Sequence, residues 1–454
     1  MAETKPPGLQ ITIIGAGIAG LGAAIALKKH PAIDVQIYER AAELQEIGAS
    51  IALGPNGMRT LERLGVNNAL DESVAFRNKS GFPMIYRHYQ TNEVVSVDTH
   101  RGHVDPLHHT ARFYRAHLQQ ALLKHVDLAQ IHLSKSFRSV AARNSEGKLI
   151  ITFHDGTTAT TDILLGADGI RSRVRTFLVP TSATAWTGWV AFRSVFPISH
   201  VAHISGLPDE ATHFWGPNGR TLFTSPLGKD LFTVVASHQS DPSAADAPYS
   251  DAVWDEDGDV SVFREFYQDW SPLAQAIVAA TPHTSVYPNA AARGLDTWVL
   301  SLPGDSKGGR VTLAGDAAHA HGGAFAAGGS LALDDAWAFA AAVMHVFPPG
   351  SARKPTEEDV GFALRLYEAT RKKHTDKVIR AVHEGNGEKV AKALRETETD
   401  EALRERMKSR GDPAWIHEHD VLGEFQRALG ELKGENDAVK VVDVVVVGGE
   451  QVML

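Results

Sequence analysis

The chain of 454 residues contains no cysteine. That excludes disulfides, thiolate nucleophiles, cysteine-ligated metals and any cofactor attached through a thioether, and it fits a reducing compartment such as the cytoplasm. Positive charge is not in excess: 45 Lys and Arg stand against 54 Asp and Glu, a net charge of −9, which disfavours nucleic acid and acidic membrane surfaces as partners. The N-terminus, MAETKPPGLQ, lacks a basic-then-apolar leader pattern. Ile11–Leu27 is apolar, but its four glycines and the following Lys28 and Lys29 suit a buried strand, turn and helix better than a membrane span. Histidines are plentiful, yet His108, His109 and His117 have no partners at metal-ligand spacing, and no metal is expected. These absences leave a soluble, cytoplasmic protein with neither nucleic acid nor membrane as partner.

What is present begins with Ile11–Ile14, a β-branched run broken by Gly15-Ala-Gly17-Ile-Ala19-Gly20. Ala23–Lys29 reads as helix, Val35–Tyr38 as a second strand, and Glu39-Arg40 lies at that strand's tip. This is the dinucleotide-binding βαβ pattern in its proper setting. Gly15 allows the tight turn, Gly17 lets backbone approach a pyrophosphate, and Gly20 lets helix pack on strand. Glu39, nineteen residues after Gly20, is placed to accept a hydrogen bond from a ribose 2′-hydroxyl and would repel a 2′-phosphate. The ligand is therefore FAD or NAD rather than NADP.

Gly309–Ala336 repeats the theme: a short strand ending at Ala314, then Gly315-Asp316, a loop of Ala, Gly and His, and a helix from about Leu331. Free N–H groups at Gly328, Gly329 and Ser330 would favour negative charge, and Asp316 is suited to a ribose or ribityl hydroxyl. A third element, Gly166-Ala-Asp168-Gly169-Ile-Arg171-Ser-Arg173, follows the strand Ile163–Leu165. Phe113–His125 reads as an amphipathic helix with Arg115 near its start. Arg59, on a helix after the turn Gly54–Gly57, is a surface arginine or a cofactor neighbour.

Trp186–Ser301 has a different texture. Strands are expected at Trp189–Val195, His213–Trp215, Arg220–Phe223 and Leu231–Ser237, with an acidic loop at Asp241–Asp259 and a helix over Val260–Ala280. Thr356 and Asp359 form a capping-box-like helix start. Glu396–Arg410 reads as a solvated helix face, and Val439–Val447 as a β-prone tail that pairs with a sheet edge or a partner chain.

With GAGIAG, GADGIRSR and GDAAH in that order, the chain resembles the single-component (group A) flavoprotein aromatic hydroxylases. Glu39-Arg40, GPNGMR at Gly54–Arg59, YRAHL at Tyr114–Leu118 and LYEATR at Leu366–Arg371 extend the resemblance over roughly Ile11 to His374. Within that family it is most similar to salicylate-hydroxylase-like enzymes, and HAHGGAFAAGGSLALDDA is similar to a fungal branch acting, often with dearomatisation, on resorcinol-type polyketides. The resemblance implies an α/β fold: a Rossmann-like FAD-binding domain (1–75, 111–180, 302–350) interleaved with a mostly antiparallel substrate domain (76–110, 181–301). C-terminal helices (351–436) and a tail (437–454) complete it. It implies non-covalent FAD, NADPH or NADH as transient reductant, O2 and a small phenolic substrate hydroxylated through a flavin hydroperoxide, in a monomer or homodimer. The cofactor residues implied are Gly15, Gly17, Ala19, Gly20, Glu39, Arg40, Arg115, Asp168, Asp316, Gly328, Gly329 and Ser330. Arg193 in GWVAFRSVFP matches a pocket arginine that steadies a phenolate, with a sheet salt bridge as its alternative. Of His319 and His321, in the loop that follows Gly315, one borders the substrate or assists its deprotonation, with His321 the candidate. Two departures stand out: Gly323 replaces a proline frequent after GDAAH, and Ser225-Pro226 stands where Tyr-Pro is frequent. Other readings are a decarboxylating salicylate-type hydroxylase, a flavin reductase or halogenase on the same fold, although WxWxIP is absent, and a non-catalytic binding module.

Overall fold

In the strand Leu9–Ile14, Ile11, Ile13 and Ile14 are all buried, as a strand covered on both faces requires. It lies at the centre of a five-stranded parallel sheet in the order Val311–Leu313, Ile163–Gly166, Leu9–Ile14, Ile33–Tyr38, Ile131–His132. The computed structural model describes residues 8–44, 49–141, 147–239, 256–302, 309–393 and 398–434. The tail Val439–Val447 and most of the acidic loop Asp241–Asp259 lie outside the described residues.

Two helices pack on one another beside this sheet. The glycine-turn helix Ile18–Leu27 and the core helix Gly328–Val346 approach so closely that a Cβ on Gly22 would sit 3.0 Å from that of Ala336. The outer helix Glu357–Ala393 follows Thr356, which exchanges hydrogen bonds with Asp359 in the reciprocal manner of a capping box.

The second layer is an eight-stranded sheet: Glu256–Gly258, Thr284–Ala292, Thr184–Pro197, Leu231–Gln239, Thr221–Leu227, Thr212–Trp215, Ile85–His88, Val94–Val97. Only Thr212–Trp215 and Ile85–His88 run parallel to each other. Alternation gives it two different faces. Val190, Phe192, Val234, Ala236, Leu222 and Phe214 form an apolar core with Phe263, Tyr267, Trp270 and Ile277 of the helices that follow. On the opposite face one register row crosses the sheet, Ser285–Arg193–Val235–Phe223–His213–Tyr86. From Ser285 to His213 its members are only partly buried.

Several local expectations are corrected. Ala111–Tyr114 is a strand paired with Ser50–Leu53, and the helix begins only at Arg115, because the alternating Arg112 and Phe113 complete a small sheet. Helix starts fall earlier than read from hydrophobicity, at Ile18 and Gly328, since small residues permit close packing there. Val260–Ala280 divides into Val260–Glu265 and Pro272–Ala280, Pro272 taking the first-turn position after the cap Ser271. Within Glu396–Arg410, Leu403 and Met407 are buried against Tyr86. Among the described residues no helix is long and apolar enough to cross a membrane.

Candidate active site

The three glycines of the first turn meet different surroundings. Gly15 has φ +107, and a Cβ there would lie 2.4 Å from the Ala167 carbonyl oxygen; one on Gly20 would lie 2.0 Å from the Gly15 oxygen. Gly17 has open space where its Cβ would be. It is the N-cap of the glycine-turn helix and supplies no side-chain cap, so the first-turn N–H groups, including that of Ala19, face that space. Glu39 closes one side, accepting hydrogen bonds from the Ala16 and Ala41 N–H groups at 2.8 and 2.9 Å. Arg40 is exposed at the strand's exit.

The core helix brings a second uncapped N-terminus. Its first intrahelical bond runs from Leu331 N–H to the Ala327 carbonyl, leaving the N–H groups of Gly328, Gly329 and Ser330 ahead of the ladder. Gly329 packs on Leu53 and Ile51, and the Ser330 hydroxyl accepts from Gly54 N–H at 3.0 Å. Between the two helices lies Gly315, φ +61, with the side chains of Ala19 and Ala332 against it. Asp316 follows, its side chain 46% exposed, with Oδ1 3.9 Å from Nδ1 of His321.

His321 is buried, and among the described residues neither of its ring nitrogens has a hydrogen-bond partner. Burial lowers its pKa, opposed by Asp316, so the ring is neutral near pH 7. Arg193 presents a similar case. Burial lowers its pKa; it lies over the Tyr287 ring at 5.2 Å, its Nε is buried without an acceptor, and among the described residues it makes no ion pair. The sheet salt bridge considered from sequence is therefore absent among the described residues. A Cβ on Gly323 would lie 3.5 Å from Nη2 of Arg193, which puts the guanidinium beside the Gly322–Ala326 loop. In that loop Phe325 and Ala326 hold positive φ values of 58 and 53. Arg115 adds a second positive charge near Arg193.

Two candidates have local work. The Asp168 carboxylate accepts from the Ser172 hydroxyl and from the Arg173 and Val174 N–H groups, fastening the start of the helix Arg173–Leu178. Arg59 donates to the Glu418 and His419 carbonyls and so holds the C-terminal segment. Ser225 is buried, its hydroxyl donating to the Pro226 carbonyl.

Sequence reasoning missed the buried polar network beneath the loop. Asp335 accepts from Gly315 N–H, from His319 Nε2 and from Arg371 Nε, while Asp334 accepts from Thr60 and Asn56. An acidic pair inside an Ala-rich apolar helix was the available signal, because buried carboxylates need partners. Among the described residues no group of three or more His, Asp or Glu side chains is placed to hold a metal.

The cradle suits FAD on three observations: open space at Gly17, two convergent helix N-termini without side-chain caps, and a carboxylate at the strand tip. A family profile described as FAD binding domain matches residues 8–382. The chain is 28% identical to a salicylate hydroxylase of Pseudomonas putida, over 96% of this chain and 99% of that protein. It is 26% identical to the 6-hydroxynicotinate 3-monooxygenase of Pseudomonas fluorescens, over 91% and 95%, and 27% identical to the 6-methylsalicylate 1-monooxygenase of Aspergillus terreus, over 82% and 81%. A salicylate hydroxylase substrate complex superposes with a TM-score of 0.74 at 22% identity, covering 93% of this chain and 98% of that one. The chain belongs to the FAD-binding domain family and is an FAD-dependent monooxygenase.

Proposed function

We propose that this monooxygenase hydroxylates a small phenolic substrate held as its anion at Arg193. The observation that carries this is the Arg193 guanidinium itself, desolvated, without a carboxylate partner among the described residues, on the partly accessible face of the large sheet. A buried cation in that state is stabilised by an anionic ligand, and an anionic phenol is the more electron-rich ring. The names of the relatives support the class, since salicylate, 6-methylsalicylate and 6-hydroxynicotinate are each a hydroxylated or oxo-bearing arene carboxylate.

In this reading Gly15, Gly17, Ala19, Gly20 and Glu39 would hold the adenosine diphosphate part of FAD, and Asp316 and Arg115 its middle. The N–H groups of Gly328, Gly329 and Ser330 would offer hydrogen bonds to its ring. FAD, once reduced by NADH or NADPH, supplies the activation of O2. The chain does the rest. The helix N-termini favour negative charge on the cofactor, Arg193 keeps the substrate ionised, and neutral His321 borders it as a hydrogen-bonding group. The Gly322–Ala326 loop and the sheet keep water away. With one dinucleotide fingerprint, the nicotinamide cofactor is a visitor rather than a resident. Dearomatisation of a resorcinol-type ring is the finer proposal, and decarboxylating hydroxylation of a salicylate-type acid the second reading.

Arg193→Met tests this. Substrate affinity falls, the apparent pKa of the bound phenol rises, and more hydrogen peroxide is released per NAD(P)H oxidised, while flavin occupancy is retained. Wild-type affinity and coupling would exclude Arg193 as the anion site.

A further inference from the structure

The register row that carries Arg193 continues past it. Val235 and Phe223 make an apolar stretch, and His213 comes three strands from Arg193, roughly 14 Å away at the usual strand spacing. His213 is set among aromatic rings, edge-on to Phe223 and Trp215. The Trp215 indole N–H donates to His213 Nδ1 at 3.2 Å. An indole can only donate, so Nδ1 is bare and the ring proton is on Nε2. Burial, with Arg410 and Arg112 nearby, lowers the pKa to about 3, so this tautomer remains neutral at any working pH. His213 is thus a fixed N–H donor with no protein acceptor among the described residues.

A second donor stands over the same place. Arg112 is almost fully buried and lies 5.9 Å above the Phe223 ring. Among the described residues its guanidinium makes one hydrogen bond, from Nη2 to the Pro83 carbonyl at 2.6 Å, and no ion pair. Asp98, the nearest acid, is engaged by the Tyr86 hydroxyl and by Arg410. His417 approaches Arg112 from the C-terminal segment and is kept neutral by burial and that cation. Arg410 and His417 both lie beyond residue 382, where the family match ends.

We infer that this face of the sheet has a second recognition point, formed by His213 Nε2–H and the Arg112 guanidinium, for the tail of the substrate. The substrate class is then a phenol with an apolar spacer that ends in a hydrogen-bond acceptor, a ketone or a carboxylate. The head lies at Arg193, the spacer over Val235 and Phe223, and the acceptor at the far end. The assignment rests on the reading of Arg193 given above.

The test is a titration of the FAD-loaded enzyme, followed by the change in flavin absorbance. The probes are resorcinol, 4-butylresorcinol, 4-(2,4-dihydroxyphenyl)butan-2-one and 3-(2,4-dihydroxyphenyl)propanoate. The ketone or the carboxylate should bind at least tenfold more tightly than the butyl compound; the pair also separates a neutral acceptor from an anionic one. In His213→Phe that ratio should fall to twofold or less, and His213→Gln, which keeps an N–H donor, should recover much of it. Trp215→Phe, which frees the tautomer, should lower the ratio severalfold and serves if His213→Phe does not fold. Equal binding of the butyl and acceptor tails by the wild-type enzyme, or a ratio untouched in the variants, overturns the tail site. Arg193-dependent binding of resorcinol would in that case leave the proposed hydroxylation standing. Failure of every probe to bind overturns both.

Discussion

The Arg371 Nε donates to Asp335 Oδ1 at 2.8 Å, between two side chains wholly removed from solvent. The other oxygen of Asp335 takes Gly315 N–H at 2.8 Å and His319 Nε2 at 2.6 Å. One carboxylate therefore ties the outer helix, the core helix and the Gly315 turn together beneath the cofactor cradle.

Asp335→Asn should lower stability by about 3–5 kcal/mol, because it leaves Arg371 buried with Asp334 as its nearest acid, 3.9 Å away. Burial acts to raise the Asp335 pKa, but His319 and Arg371 hold it down to about 2. A depressed carboxylate contributes stability above its unfolded pKa and loses it as pH falls through the folded one. The deficit of the variant should thus be constant from pH 7 to about pH 4.5 and narrow below about pH 4, as measured by urea unfolding. A deficit that does not change below pH 4 would count against this account.

Gly15→Ala and Gly17→Ala should separate folding from cofactor binding. The first places a Cβ 2.4 Å from a carbonyl oxygen at φ +107 and should destabilise the apoprotein. The second fits the protein, φ being −79, and should leave apoprotein stability unchanged or slightly higher while weakening FAD binding. Apoprotein melting with FAD titration checks both; unaltered FAD affinity in Gly17→Ala would mean that no pyrophosphate approaches there.

Asp316→Ala removes a half-exposed carboxylate, so the apoprotein should melt within about 0.5 kcal/mol of wild type. FAD affinity should fall roughly ten- to a hundredfold, the effect of about 1.5–3 kcal/mol for a hydrogen bond to a charged group. Full flavin retention after dialysis would remove Asp316 from the cofactor site.

Acid should unfold this protein early. Burial pushes the pKa of His417 to about 4, of His213 and His419 to about 3, and of His374 to about 2. Each folded pKa lies below the unfolded value, so stability is complete above about pH 6.5. It falls by about 1.4 kcal/mol per pH unit for each such histidine as the pH drops below that. His374 stacks on His419 at 3.8 Å between centroids; His374→Phe preserves the stack and should reduce proton uptake on unfolding between pH 6 and 4.5 by about one. An unchanged slope of urea midpoint against pH would show that His374 is not buried neutral.

The first wall of the cradle was legible in sequence because its elements are local: strand, Gly15 to Gly20, and Glu39 fall within thirty-one consecutive residues, Leu9 to Glu39, and their spacing is fixed by geometry. The parallel and antiparallel layers were legible for the same reason, as runs and alternations. What stayed hidden depends on contacts distant in sequence. Nothing near Arg112 or His213 marks them as neighbours, since Phe223 brings them together only once the sheet is paired. Asp168 illustrates a local role that sequence did not show: in an Asp-Gly before two arginines, read as a phosphate-side arrangement, its carboxylate fastens the turn that follows.

The order of strands in the parallel sheet also bears on how the cofactor is acquired. Leu9–Ile14 pairs with Ile163–Gly166, and that strand with Val311–Leu313, so the sheet is completed only by a segment in the last third of the chain. The core helix that supplies the second N-terminus comes later still, at Gly328–Val346. On the ribosome, a nascent chain would display its glycine turn long before it had the opposite wall of the cradle. Pairing parallel strands so far apart is intrinsically slow. A cradle with both walls therefore requires residues about three hundred positions apart in the chain, and flavin capture has to wait for the second of them.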